Sequence, residues 1–221
     1  MQLITVDFDG TLFEEDSFKL MFRTRSEEFG IREWAMIVFA VIQALLFGIF
    51  KGKQALRTHI FKTVAKTFKG KTREELDDFF HQLIIEKKDR INRKLVQTIE
   101  EHRKNGNQVM ILSGALQPFL EALVRELNLD VVIIGTELYF DDDGTCTGET
   151  GPLVNGEEKV LAVTDWLKAE QMDSKNMKLW AYADSESDIP LLHFVDRPII
   201  VNPKEKMRDV AKTNRWPIYG E

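Results

Sequence analysis

From Leu3 to Phe8 the chain is a short apolar run rich in β-branched residues, and it stops at Asp9-Gly10-Thr11. That pattern predicts a buried strand followed by a turn. From about Phe18 to Leu95 the rhythm changes. Apolar residues recur at mixed three- and four-residue spacing, with little turn chemistry beyond Gly52 and Gly70, so this stretch is predicted to be helical throughout. Inside it, Thr72 followed three residues on by Glu75 has the form of a helix cap. After Arg90, strands are predicted at 108–112, 131–134, 178–183 and 198–201, and helices at 117–128, 157–170, 189–194 and 204–212. Segments 137–140 and 144–150 read as a hairpin around Asp141-Asp142-Asp143-Gly144.

Strands that alternate with helices imply right-handed crossovers and an α/β fold with a doubly wound parallel sheet. The first strand is separated from the others by a helical insertion of about 75 residues, far longer than an ordinary crossover. The expected organisation is a core of residues 1–17 and 91–221 and an inserted helical domain of residues 18–90.

Within the insertion, Ala35 to Phe50 is almost wholly apolar, broken only by Gln43 and Gly48. A spanning helix needs about 20 apolar residues, with about 17 as the lower limit. The run sits at that edge. A single crossing would put Asp7 on the opposite side from the later polar motifs, so the expectation is a buried helical pair or a packed helix and no membrane span. Contact with a membrane surface is the other reading.

Composition narrows the picture further. The 221 residues are 43% hydrophobic and 30% charged, ordinary for a soluble globular chain. The net charge is −6, with no long basic run, which argues against a nucleic-acid groove. Cys146 is the only cysteine, so no intrachain disulfide or cysteine-rich metal site is possible. The sequence opens with no basic leader, and the expected location is cytoplasmic. Oligomeric state is left open.

Four polar clusters fall where a strand ends or a helix begins, which in open α/β sheets is where ligands bind. In Asp7-Phe8-Asp9-Gly10-Thr11, residues two apart at a strand end face the same way, so both carboxylates address one site. Adjacent carboxylates repel unless a cation lies between them or one keeps its proton, and Mg²⁺ would satisfy that need. The bland reading is an Asp-Gly turn. Ser113-Gly114 offers a hydroxyl and a bare amide at a helix entrance, suited to an anion, or else an ordinary helix cap. Lys159, near a helix start, opposes the helix dipole unless an anion faces it; the bland reading is a solvated lysine. In Asp184-Ser185-Glu186-Ser187-Asp188, both aspartates can approach a metal at a strand tip, or they form an acidic helix N-terminus.

Taken in chain order on consecutive strands, these clusters resemble the four motifs of the haloacid dehalogenase superfamily of phosphatases, across essentially the whole chain. The layout is most similar to the phosphoserine-phosphatase-like branch, and the helical insertion looks like that branch's small cap. The tail Val201-Asn202-Pro203 and Trp216-Pro217 is similar to members of the branch with unassigned substrates. The resemblance implies a Mg²⁺-dependent phosphatase acting on a small-molecule phosphate ester through an aspartyl-phosphate. It implies Asp7 as nucleophile and Asp9 as general acid–base. Ser113 and the Gly114 amide would hold the phosphoryl group, and Lys159 would neutralise charge. Asp7, the main-chain carbonyl of Asp9, and Asp184 would be metal ligands, supported by Asp188. Two positions depart from the pattern: Ala183 stands where a glycine is common, and Ser187 where phosphoserine phosphatases carry Asn. Both bear on substrate identity more than on reaction class. The second aspartate, Asp9, marks the hydrolytic version, because halide needs no proton to leave and the transport ATPases carry threonine there.

Substrate selection is expected from the cap and the first loop. Asp16, nine residues after Asp7, matches an offset that carries an amine-reading acid in the phosphoserine phosphatases; equally, it can cap the next helix. Arg57 is a candidate for a substrate carboxylate. The competing functions are a phosphorylatable receiver-like switch and a protein that binds phosphorylated ligands without turnover. A receiver needs only about one domain and no large helical insertion.

Overall fold

The computed structural model describes residues 2–172 and 177–221, with the main chain alone between 44 and 55. Five strands form one parallel sheet: β1 (Gln2–Val6), β2 (Gln108–Leu116), β3 (Val132–Thr136), β6 (Lys178–Ala183) and β7 (Arg197–Ile200). Their spatial order is β3-β2-β1-β6-β7, so the first strand in sequence is the central one. Its neighbours are held in register by pairs such as Val6 with Ile111 and Val6 with Tyr182. The apolar runs that form β1, β2 and β6 lack polar alternation because both faces are covered. One face carries Ile4, Val6, Val109 and Ile111 into a core with Phe8, Phe13 and Phe119. The other carries Leu3, Met110, Leu112 and Ala181 into a core with Val163 and Leu191.

Between β1 and β2 the chain is helical, as its rhythm predicts. The helices are α1 (Ser17–Ser26), α2 (Ile31–Ala65), α3 (Arg73–Glu86) and α4 (Arg93–Lys104). The Thr72 cap forms as read: its hydroxyl accepts from the Glu75 amide, and the Glu75 carboxylate accepts from the Thr72 amide. Of the two readings of 35–50, a helical pair or a single helix, the structure has the second: the run is part of one continuous α2. Gly48 and Gly52 each cost only about 1 kcal/mol in a helix interior, too little to break it. Among the described residues, no helix is long and apolar enough to cross a membrane. The expectation of a buried run is corrected at its described positions, where Val38, Phe39 and Ile42 are half exposed, and lies outside the described side chains at positions 44–50.

The remaining helices are α5 (Gln117–Glu126), α6 (Glu157–Ala169), α7 (Ile189–Phe194) and α8 (Glu205–Asn214). The hairpin pairs β4 (Leu138–Phe140) with β5 (Cys146–Thr150). It also joins the helical insertion through main-chain bonds: Gly70 N–H donates to Cys146 C=O at 2.9 Å, and Cys146 N–H to Lys71 C=O at 2.8 Å.

Two boundaries correct the sequence reading. The first strand was expected to reach Phe8 and ends at Val6. The second was expected to stop at Leu112 and runs to Leu116. The extra residues keep a partner, because β3 follows them through a register shift to the pair Leu116 with Thr136. Ser113 and Gly114 therefore lie inside a strand and not at a helix entrance, since α5 starts only at Gln117.

Candidate active site

A cavity of about 680 Å³ opens at the carboxyl ends of β1, β2 and β6, and every candidate residue named from the sequence lines it. Asp7 follows β1 directly, and its amide extends the ladder by donating to Tyr182 C=O at 2.9 Å. Asp184 directly follows β6. Adjacent parallel strands thus bring two carboxylates together from residues 177 apart in sequence.

Lys159 sits in the first turn of α6, and its side chain is only 2% exposed. Its ammonium donates to Asp7 Oδ1 at 2.6 Å and also to Asp188 Oδ1. The solvated-lysine reading is therefore wrong for this position. Burial alone would depress this amine, but the Asp188 and Asp7 carboxylates more than offset it and hold its pKa above the usual lysine range. Asp188 is fixed in turn by Ser185, whose hydroxyl donates to Asp188 Oδ2 at 2.7 Å. The short 3₁₀ turn Glu186–Asp188 before α7 aims it inward.

Asp9 points elsewhere. Its two oxygens accept from the Ser17 amide at 2.7 Å and the Ser17 hydroxyl at 2.9 Å, where α1 begins. Burial pushes Asp9 up to about 7, against the pull of the Ser17 bonds and with help from the Asp7 charge. Asp7 is raised to about 6 by burial, opposed by Lys159 and reinforced by Asp188. Asp184 is raised to about 7 by burial together with the Asp7 and Asp188 charges.

Asp7, Asp184 and Asp188 each offer a carboxylate oxygen within 4.8 Å of the others. Three carboxylates face one ammonium, and the donors are all hard oxygens. That donor set and its excess negative charge fit a divalent cation such as Mg²⁺. The Asp9 carboxylate is outside the group.

Ser113 is buried, and its hydroxyl accepts from the Ala115 amide at 3.2 Å. The Gly114 carbonyl accepts from the Thr136 hydroxyl at 2.9 Å. Both line the cavity without touching Asp7 or Lys159 through a hydrogen bond. Arg57 reaches the cavity from α2 and is exposed. Asp16 lines the cavity and also caps α1, accepting from the Lys19 amide at 3.0 Å.

Sequence reasoning gave no site role to four residues that contribute. Thr11 is fully buried, and its hydroxyl donates to Asp7 Oδ2 at 3.3 Å; its place in the Asp7–Thr11 cluster was the available signal. Glu14 and Glu15 add acid to the cavity wall. Asn202, in the left-handed region at φ +44°, donates from its side chain to Gly10 C=O at 3.3 Å. Only the folded chain brings it there.

Comparison with known proteins places this geometry. Residues 4–193 match the model of the haloacid dehalogenase-like hydrolases, so the chain belongs to that family. The relatives it is similar to include proteins named histidinol-phosphatase and phosphoserine phosphatase. A histidinol-phosphatase from Neisseria meningitidis serogroup C is 32% identical over 156 residues, covering 67% of this chain and 68% of that protein. The inhibition of morphological differentiation protein of Streptomyces azureus is 35% identical over 120 residues, 54% of this chain; the match spans only 42% of that longer protein. Among solved structures, a Bordetella pertussis protein of unknown function superposes with a TM-score of 0.80 at 22% identity, covering 98% of this chain and 97% of that one. A phosphoserine phosphatase in a phospho-aspartyl intermediate analogue form gives 0.58 at 18% identity, covering 98% and 91%. At these identities the structures speak for the fold alone.

Proposed function

We propose that this chain hydrolyses a small phosphate monoester with Mg²⁺ bound, through an aspartyl-phosphate at Asp7. The observation that carries the reading is the buried Lys159 ammonium held between Asp7 and Asp188 at the strand tips, with Asp184 beside them. A cluster of this composition has no structural need: a purely apolar packing would cost less than burying the three charged groups Asp7, Lys159 and Asp188. It suits a site built to receive dispersed negative charge.

Asp7 and Asp184 would hold the cation, with the Asp9 carbonyl, and Asp188 would support them. Mg²⁺ supplies charge neutralisation for the phosphoryl oxygens when bound. The chain's own groups do the rest. An Asp7 carboxylate oxygen attacks phosphorus in line; the new O–P bond forms as the ester O–P bond breaks. Asp9, kept protonated by burial, gives its proton to the leaving alkoxide. Water then attacks phosphorus, Asp9 takes the proton it sheds, and the acyl-phosphate O–P bond breaks to restore Asp7. Lys159, Ser113 and the Gly114 amide hold the transferring group's charge. Residues 18–90 act as a cap over the core of residues 1–17 and 91–221, and set specificity with the first loop.

The substrate we propose is a phosphate ester that carries an amine. Glu14, Glu15 and Asp16 line one cavity and would attract a cationic group, with Arg57 available for a carboxylate. The names histidinol-phosphatase and phosphoserine phosphatase, borne by relatives, belong to that chemical class. We place the activity in the cytoplasm, where the buried free thiol of Cys146 would stay reduced.

The test is a screen of phosphorylated metabolites for released phosphate with Mg²⁺ present. An acid-quenched sample should carry one phosphoryl group on the peptide that contains Asp7. A stoichiometric phosphoprotein that releases no phosphate would instead identify a receiver-like switch, and binding without either event a phospho-ligand carrier.

A further inference from the structure

Helix α2 spans 35 residues, roughly 52 Å at 1.5 Å per residue. A helix that is apolar all round is normally buried all round. This one is buried on one side only. Ile37 and Ala40 face the chain's own core at 7% and 5% exposure. On the opposite side Ile31 is 90% exposed, Val38 53%, Phe39 61% and Ile42 50%. Trp34 stands beside them, 44% exposed and braced edge-on by Phe22 and Phe29. These residues form one contiguous apolar stripe of the kind that marks an interaction site.

The sequence of the stripe says what covers it. Apolar residues fall at 31, 35, 38, 42, 45 and 49, alternating steps of four and three. Positions at that 3.5-residue spacing can form the seam of a helix packed against another helix. The seam is also symmetric about position 40: 31 mirrors 49, 35 mirrors 45, and 38 mirrors 42. Along the sequence, an antiparallel copy of the same helix therefore places an apolar residue across from each of these positions. Charge runs the same way. Residues 27–33 carry three acids and one base, and their mirror positions 47–53 carry two bases and no acid. Antiparallel pairing sets the acidic end of each copy across from the basic end of the other, whereas parallel pairing sets like against like. A membrane surface fits less well. Helices that lie in the interface are rich in Lys and Arg along the polar side, but none occurs from Glu33 to Phe50, and the chain's net charge of −6 opposes an anionic surface.

We propose that the exposed face of α2 binds α2 of a second copy, antiparallel, about a twofold axis that passes level with residue 40. The interface is isologous, as most homodimers are. Val38 and Ile42 of each copy lie at its centre and Ile31 at its two ends. The proposal draws on the helix alone and is independent of the reaction assigned to the cavity.

Sedimentation of the full chain across the micromolar range tests it, with far-UV circular dichroism as the control for folding. The wild type should be a dimer. Val38→Glu and Ile42→Glu should each be monomeric with an unchanged spectrum, because both positions are half exposed within one chain. Ile85→Glu, at a 40% exposed site on α3, should stay dimeric. A wild type that remains monomeric overturns the proposal, and so does a dimer that survives both central charges. A monomer that sediments with anionic vesicles overturns it in favour of a membrane surface. Orientation is read by spin labels on Ile42→Cys and Ile31→Cys, the native Cys146 being buried. Antiparallel packing separates paired labels along the axis by roughly 6 Å at position 42 and roughly 27 Å at position 31. Equal short distances at both positions would indicate parallel helices and overturn the arrangement.

Discussion

Gly10 lies so close to Asp184 that a β-carbon at position 10 would stand 2.2 Å from Asp184 Oδ2. Its φ of +82° is also in the region that side chains disfavour. Two constraints meet at one residue: the turn after Asp9 needs a left-handed backbone, and the Asp184 carboxylate needs the space. Gly10→Ala should therefore displace Asp184 as well as strain the turn. The expected result is a loss of at least about 100-fold in kcat/KM, about 2.7 kcal/mol, with a lowered Tm. Near-normal kinetics in Gly10→Ala would show that Asp184 does not need its present position.

Asp7→Asn keeps the shape of the nucleophile and removes its charge. Turnover should fall by at least about 1,000-fold while circular dichroism is unchanged. If more than about a tenth of the rate survived, less than about 1.4 kcal/mol of the barrier would depend on this group, and the covalent route would be wrong. Chelation with EDTA should abolish phosphate release, and Mg²⁺ should restore it.

Lys159→Met removes the one ammonium between two buried carboxylates. Breaking a buried pair by deleting one partner costs about 3–5 kcal/mol, so a large fall in Tm is expected along with lost activity. The fall should be greater at pH 8 than at pH 5.5, because the orphaned carboxylates can take up protons at the lower pH. A Tm loss that is the same at both values would mean that the lysine acts by packing alone.

The raised carboxylates set a pH dependence for the metal-free protein. Asp7, Asp9 and Asp184 move from 3.8 to about 6, 7 and 7 in the folded state, chiefly through burial. Folded protein then binds more protons than unfolded protein between about pH 4 and pH 7, so their contribution to stability is full at the acid end and is lost as pH rises through 6 to 7. The exposed Glu75 and Glu86 shift the other way and act near and below pH 4.5. Calorimetry without metal should show Tm falling from pH 5 to pH 8. Mg²⁺ competes with those protons, so it should raise Tm more at pH 7.5 than at pH 5. Equal increments at both pH values would remove the carboxylates from the metal site.

Asp16 separates capping from substrate reading. Its bond to the Lys19 amide predicts that Asp16→Ala costs about 1 kcal/mol of stability. If the carboxylate also reads a substrate amine, kcat/KM for the native ester should fall while p-nitrophenyl phosphate, which has no amine, is hydrolysed as before. An equal loss on both substrates would leave only the cap.

Much of this was legible along the chain. The β-branched run before Asp7 and the alternation after Arg90 are local patterns, and each records whether a segment is covered on one face or both. The Thr72–Glu75 cap is local as well. The ends of elements were less legible. Strand β2 outruns its expected end because β3 offers a partner as far as Thr136, and that partner lies outside any local window. Whether 35–50 is one helix or two was left open for a related reason: a single glycine such as Gly48 is a weak breaker, and neighbouring turns of the helix decide whether it matters.

For the site, the sequence by itself determined the kinds of groups available: two aspartates at one strand tip, two more after another, a lysine near a helix start. Residue type and strand-end position suffice for that. The tertiary structure decided which of them share charge. Lys159 reads as a solvated cation until α6 packs its first turn over the sheet, where the amine becomes 2% exposed between Asp7 and Asp188. Ser17 has no visible tie to Asp9 until the chain turns back at Gly10 and lays the start of α1 against it. Burial and pairing set the charge states here, and both depend on segments distant in sequence, which no local pattern encodes.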